Sequence, residues 1–433
     1  MESIWTKDIE KPSFERLKRD IKTDVLIIGG GISGILCSYM LTKAGVDNLL
    51  LEANTICSGT TKNTTAKLTL AHGLIYDKLI SEFGLSFAKM YLKSQQYALQ
   101  NLSVLCKKTD CDYEVRDSYV YSVRDALKIE REVKALNTLG MCAEFCKDTN
   151  LPFSVAGAVR LGNQAQFHPL KLLYSIARGL NIYENTRVLK LDGNIAKTEH
   201  GTVCARKIIV ATHFPFIDRY GLYFIKMHQH RSYVLALENA PQLDGMYVDE
   251  CDKGLSFRNY KNLLLLGGGG HRTGKTGGSF IELEEFKNKY FVGSKEVCRF
   301  ATQDCITLDS VAYIGNYTKL RPDLYVATGF NKWGMSNSYL SAKILTDEML
   351  GKKNEFSKVY NPMRSILRTD LAVNLFETVT NFVKPTRPRC SHLGCALTYN
   401  KFEHTWDCAC HGSRFNKDGK ILDGPANKDK SLK

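Results

Sequence analysis

The apolar positions of the chain fall into a few strong local patterns. Residues 25 to 28, "VLII", form an unbroken apolar run of strand length, which predicts a buried strand. Residues 32 to 43 carry apolar positions at helical spacing and predict a helix that ends near Gly45, and "NLLL" at 48 to 51 predicts a second strand. Farther along, "NLLLL" at 262 to 266 reads as an apolar strand, and the last apolar helical pattern ends near Phe376. Close to the C-terminus, "ALTYN-KFEH-TWDC" and "RF-NKDG-KIL" predict two hairpins, the second turning through Asn416, Asp418 and Gly419. Cys142 and Cys146 fall at i, i+4 spacing in an expected helix. With no further ligand near them in sequence, they read as packing residues. No repeat or disordered segment stands out before the final "NKDKSLK".

The turn between the first strand and helix changes this picture from pattern to chemistry. Gly29, Gly31 and Gly34 form G-x-G-x-x-G, and Glu52 stands at the end of the second strand, 23 residues after Gly29. Such glycines permit a tight turn and close approach of a pyrophosphate to a helix N-terminus, and the acid is placed for the adenosine ribose. Strand, helix, strand and acid together predict a dinucleotide site. A second glycine-rich string, "GGHRTGKT" at 269 to 276, matches the phosphate-loop pattern G-x-x-x-x-G-K-[ST]. Such a loop must open directly into a helix, and Gly277 and Gly278 follow instead, so the match is read as coincidence.

Residues 389 to 415, "RCSHLGCALTYNKFEHTWDCACHGSRF", hold four cysteines and three histidines. Cys390 with His392, and Cys408 with His411, are two mixed pairs separated by fifteen residues. Zinc fingers usually keep cysteines in one pair and histidines in the other, whereas a Rieske 2Fe-2S centre needs two thiolates on one iron and two imidazoles on the other. Two loops that each supply one of each fit the cluster better than zinc. A one-electron centre in turn favours FAD over NAD at the front of the chain, because a nicotinamide passes two electrons at once and a flavin can also pass one.

"CSHLGC" and "CACHGS" resemble the two binding loops of disulfide-bearing Rieske proteins. That resemblance implies that Cys390, His392, Cys408 and His411 bind the cluster and that Cys395 and Cys410 form a bridge between the loops. It also implies close backbone approach at Gly394 and Gly412, and a hydrogen bond from Ser413 to a sulfide. "GTTKNTTAKLT" (59 to 69) with "HG" (72 to 73), "ENTRVLKLDG" with "KIIVATHFPF", and "YVATGFNKWGMSNS" resemble segments of D-amino-acid-oxidase-like flavoproteins, in the branch with a C-terminal Rieske domain. The resemblance places Thr60 and Thr61 near FAD, Val188, Ala211 and Thr212 on the adenosine side, and Gly329, Trp333, Gly334 and Met335 around the cofactor. It implies an α/β fold (α+β): a Rossmann-type FAD-binding domain with an antiparallel substrate domain, plus a small all-β Rieske module. The oxidoreductase part is expected over 1 to 378, its discontinuous FAD domain drawn from about 1 to 80, 150 to 215 and 320 to 355, and the Rieske module over 385 to 433 after the linker "VKPTRPR". The module is trimmed relative to the family, and the flavin domain is its expected packing partner.

Composition adds bounds. A chain of 433 residues, 44% hydrophobic and 24% charged, has room for two or three globular domains. Its N-terminus is too charged for a signal peptide, and 25 to 41, though uncharged, is short for a membrane span, so a soluble cytoplasmic protein without a membrane span is expected. Its 14 cysteines mostly imply free thiols in a reducing compartment. The net charge of +14 suits anionic substrates, an acidic redox protein or nucleic acid, and the absence of any nucleic-acid-binding signature argues against the last.

The expected activity is oxidation of a small substrate, an amine or amino acid by family analogy, with electrons passing from FAD to the 2Fe-2S cluster and on to an external one-electron acceptor. A non-catalytic electron relay between partner proteins is the alternative; a redox sensor using the Cys395–Cys410 bridge is less favoured. No catalytic residue is assigned. His72, Lys67, Arg231, Arg272 and Asp304 are flavin-side candidates, each equally readable as a hydrogen-bonded structural residue.

Overall fold

The computed structural model describes residues 2 to 430 apart from 8, 218, 219, 252, 276, 367, 368, 386 and 387. The middle of the linker, the last residue of the phosphate-loop string and the final three residues of the tail lie outside the described residues.

The front of the chain folds as its pattern predicts. Strand β1 (Ile21–Ile28) leads into helix α1 (Ile32–Lys43) and then strand β2 (Asn48–Leu51). β1 begins four residues earlier than the apolar run, because Lys22 and Asp24 interrupt that run without interrupting the parallel pairing with 202–210. Val25 and Ile27 face one hydrophobic cluster, shared with α1, while Leu26 and Ile28 face another containing Tyr223 and Tyr317. A parallel strand covered on both faces needs apolar residues at successive positions, which explains the unbroken run. This sheet also recruits 182–183, 202–210 and 321–328 in parallel, and 313–318 antiparallel to the last of these. The uncharged stretch 25 to 41 is therefore β1 and α1. Among the described residues no helix is long and apolar enough to cross a membrane.

A second, nine-stranded sheet is mostly antiparallel. Its far edge is built from β3 (Met227–Glu238), which pairs with both β4 (Leu263–Arg272) and β5 (Lys295–Thr307). β4 runs through the first half of the phosphate-loop string as extended strand. The next helix begins only at Phe280, capped by Ser279, so no helix N-terminus faces the loop. The helical expectation for Cys142 and Cys146 fails: Cys142 is exposed beyond a helix that ends at Thr138, and Cys146 ends a short strand, so their spacing puts them on no common helix face.

Helix α2 (Gly334–Met349) packs along α1, with the Ser33 and Ser341 hydroxyls 2.9 Å apart. Helix α3 (Thr369–Val383) continues past Phe376 and precedes a four-stranded antiparallel sheet of β6 (Leu397–Asn400), β7 (Thr405–Cys408), β8 (Arg414–Phe415) and β9 (Ile421–Asp423). These are the two predicted hairpins. This C-terminal module rests mainly on the second sheet, through Gln229, Arg231, Arg272 and Gly274, rather than on the first as expected. Toward the first sheet's region, the Asn427 amide donates to the Val188 and Leu189 carbonyls at 2.9 and 3.2 Å.

Candidate functional site

The turn after β1 is built for close approach. Gly29 has φ +111°, and a Cβ there would lie 2.6 Å from the Ala211 carbonyl oxygen; a Cβ at Gly34 would lie 1.9 Å from the Gly29 carbonyl oxygen. Only glycine permits the strand and helix to meet this tightly. At the first turn of α1 the Ile32 amide donates to Thr61 Oγ1 at 3.0 Å. Glu52 accepts from the Gly30 amide at 2.7 Å and from the Asn54 amide at 2.8 Å, and burial pushes its carboxyl pKa up. One oxygen thus fixes the glycine turn and the other the loop that follows β2. Thr60 donates to the Gln303 carbonyl at 3.1 Å, and Trp333 caps α2 ahead of Gly334 and Met335.

These positions converge on one cavity of about 620 Å³. Gly29, Gly31, Glu52, Thr60, Thr61, Val188, Ala211, Thr212, Gly329, Trp333, Gly334 and Met335 all line it, while Gly34 stands behind the wall in the helix–strand contact. Of the five candidate polar groups, Lys67, His72 and Asp304 are on the wall and Arg231 and Arg272 are not. His72 Nδ1 meets the Tyr91 hydroxyl at 2.8 Å, and its ring stacks on Trp333 with centroids 4.7 Å apart. Burial holds its pKa down to about 3, so it is neutral. Burial first, and Arg258 second, bring Lys67 down to about 7, and burial raises Asp304. His213, also on the wall, escaped the sequence reading; its Nε2 is buried without a hydrogen-bond partner.

At the other end of the chain the two predicted ligand loops face each other. The His392 and His411 rings lie 5.0 Å apart at 84°, and the Cys390 and Cys408 thiols are buried and hydrogen-bonded to each other. The contact from Cys408 holds the Cys390 thiol down and raises Cys408 itself. Both His411 ring nitrogens are fully buried with no hydrogen-bond partner, an arrangement that suits a ligand-bearing imidazole and that burial otherwise penalises. Cys395 and Cys410 are joined as a disulfide, with Cα atoms 6.6 Å apart. Cys395, Cys408 and Cys410 sulfurs all lie within 4.8 Å of one another, but the bonded pair leaves no thiolate for a metal. Gly394 and Gly412, both at φ +82°, let their amides turn back onto the Cys390 and Cys408 carbonyls at 3.1 and 2.8 Å. Two thiols and two imidazoles from two loops are the donor set of a Rieske centre.

The comparisons agree with both ends. The family model for FAD-dependent oxidoreductases of the DAO type matches residues 24–348, and that for the Rieske [2Fe-2S] domain matches 349–432. The chain belongs to the DAO family of FAD-dependent oxidoreductases and carries a Rieske domain. Its cofactors are FAD and a 2Fe-2S cluster. YhfW of Bacillus subtilis, named for a Rieske 2Fe-2S iron-sulfur protein, is 33% identical across 99% of this chain and 96% of its own length. Gamma-glutamylputrescine oxidoreductase of Escherichia coli is 22% identical over 80% of this chain and 88% of its own. Glycine oxidase of Geobacillus kaustophilus shares the fold, with a TM-score of 0.66 at 19% identity over 80% of this chain and all of that one.

The Rieske domain and the cavity share a wall. Residues 421 to 427 of the module line the same cavity as the glycine turn. Gln229, on β3 and also lining the cavity, donates to the His411 carbonyl at 2.8 Å and to the Gly424 carbonyl at 2.8 Å. Gln303 on β5 donates to the Gly412 carbonyl at 2.9 Å and to Gln229 Oε1. Arg231 forms a buried ion pair with Glu403, its Nε 2.7 Å from Oε2, and Arg414 reaches the same carboxylate at 3.0 Å. Gly274, from the phosphate-loop string, would place a Cβ 2.4 Å from the Ala409 amide nitrogen, and Lys275 pairs with Glu377. That string, Arg231 and Arg272 thus form the seat of the Rieske domain. Neither glutamine sits in a motif, so nothing in the sequence marked them.

Proposed function

We propose that the chain oxidises a small amine or amino acid, and that electrons leave through the Rieske domain to an external one-electron acceptor. The observation that carries this reading is the shared wall, where Gln229 touches the cavity on one side and the His411 loop on the other. FAD supplies two-electron oxidation of substrate together with one-electron release, and the cluster takes single electrons. In this reading Gly29, Gly31 and the first turn of α1 hold the pyrophosphate, Glu52 holds the glycine turn and faces the ribose, and Val188, Ala211 and Thr212 form the adenosine side. Trp333, Gly334 and Met335 lie at the flavin end, where Trp333 is held flat against neutral His72. Cys390, Cys408, His392 and His411 hold the cluster, and Gln229 and Gln303 fix its inner loop against the cavity wall. The names of the glycine oxidase and gamma-glutamylputrescine oxidoreductase relatives support the substrate class.

Anaerobic titration with amines and amino acids should bleach the flavin absorption, and a one-electron acceptor should restore it. A panel that leaves the flavin oxidised throughout would sink the reading. Glu52→Ala should weaken FAD retention by about 1.5–3 kcal/mol, the value of a hydrogen bond to a charged group, read as FAD lost on desalting. Gln229→Leu should leave substrate bleaching intact while slowing the acceptor step; equal slowing of both would place Gln229 in substrate binding instead.

A further inference from the structure

Helix α3 is inside out. Its buried side chains are Asn374 and Asn381, only 4% and 2% exposed, while Val373, Leu375, Phe376, Val379, Phe382 and Val383 are 42% to 69% exposed. Every exposed side chain described on this helix is apolar. The polar face is fully used: Asn374 accepts from Arg272 at 2.8 Å and donates to the Ile225 carbonyl at 3.2 Å, and Asn381 donates to the Glu377 carbonyl at 2.7 Å. The helix cannot turn its apolar face inward without breaking the two bonds that Asn374 makes outside it.

The apolar face also adjoins the cluster loops. The Asn381 carbonyl accepts from the Ala396 amide at 3.0 Å, and Cys410 Sγ lies 3.8 Å from the Thr378 carbonyl. A Cβ at Gly394 would lie 3.9 Å from the Phe382 ring, so the loop carrying His392 and the exposed Leu393 continues the stripe. Beyond the helix, 384 to 389, "KPTRPR", holds three basic residues and no acid, and the whole chain carries +14.

We propose that this face of α3 seats the protein on an anionic membrane surface. An apolar stripe bearing two phenylalanines, bordered by cations on a basic protein, has the chemistry of an interfacial helix. At 15 residues α3 is too short to span a bilayer, so it lies in the interface plane. A reversible docking site for a carrier protein is about as polar as ordinary surface, unlike this charge-free stripe. A second copy packed here would bring two chains of +14 and their basic borders together, a repulsion that an anionic surface does not meet. The proposal is independent of the electron path above, since the chain binds vesicles or does not, whatever the cluster reduces.

The test sediments full-length protein, loaded with both cofactors, with vesicles of phosphatidylcholine alone or with phosphatidylglycerol mixed in. Binding to the mixed vesicles is expected, weakened by salt, and lowered about tenfold or more in Phe376→Gln/Val379→Gln. Both replacements are at exposed positions, and unchanged flavin and cluster spectra would show that the fold is retained. Wild-type protein left in the supernatant overturns the proposal. So does a dimer in velocity sedimentation that the double variant converts to monomer. A double variant that binds vesicles normally but reacts poorly with an acidic carrier protein would assign the face to that protein and equally overturn it.

Discussion

Arg231→Ala should detach the Rieske domain from its seat. Arg231 and Glu403 are both buried, and removing one member of a buried pair typically costs about 3–5 kcal/mol because the other charge is left without its partner. Arg414 still reaches Glu403, which places the expected loss near the lower end of that range. The check is thermal unfolding followed at the cluster absorption and at the flavin, with the cluster signal moving first. Acid should do the same more gently. Burial raises the Glu403 pKa, but Arg231 and Arg414 outweigh it and hold the group below its ordinary value of 4.5. A depressed acid contributes stability in full above that ordinary value and loses it as the pH falls through the folded one. The seat should therefore be pH-independent near neutrality and weaken only below about pH 4.5. Glu403→Gln should remove that acid-dependent part; a wild-type acid profile in this variant would show that another group governs the release.

His411→Ala should abolish the Rieske spectrum and, with FAD supplied in excess, still fill the flavin site. The wild-type protein should carry two irons and two acid-labile sulfides per chain with little zinc, as the [2Fe-2S] domain requires. Because His411 is wholly buried with both ring nitrogens unpartnered in the protein, its loss deletes a ligand and little else. Substrate should still bleach the flavin in this variant, and turnover with a one-electron acceptor should collapse. Stoichiometric zinc without sulfide would overturn the cluster assignment, and undiminished turnover would remove the cluster from the path. This variant is a cleaner probe than truncation at 385, because truncation would also strip 421 to 427 from the cavity wall and leave Arg231 and Gln229 uncovered.

What could be read in the sequence follows from how local the governing physics is. α1 and β2 run over the residues their patterns predict, because the glycine turn, the helix and the buried strand are each specified by neighbours in sequence. The cluster loops are legible for the same reason, with two ligands and a disulfide cysteine in each short stretch. The second sheet is not legible in this way. Gln229, Gln303 and Arg231 lie on strands whose importance comes from contacts some 100 to 200 residues away. Arg231 and Arg272 look like flavin-side cations until Glu403 and Asn374 are seen beside them. The spacing of Cys142 and Cys146 imitates a helix that stops at Thr138. Helix α3 has an apolar pattern that signals a helix but places its end near Phe376 rather than at Val383, and composition alone gives no sign that this face points away from the protein.

The wall shared by 421 to 427 and the glycine turn has a thermodynamic consequence for maturation. A cluster that orders the Rieske loops also orders Asn427 against the Val188 and Leu189 carbonyls. The affinity for FAD must then rise on cluster insertion by the same factor by which bound FAD raises the affinity for the cluster, since linkage between two sites is reciprocal. Iron starvation should accordingly yield protein short of flavin as well as of iron, even though no ligand of the cluster lines the cavity.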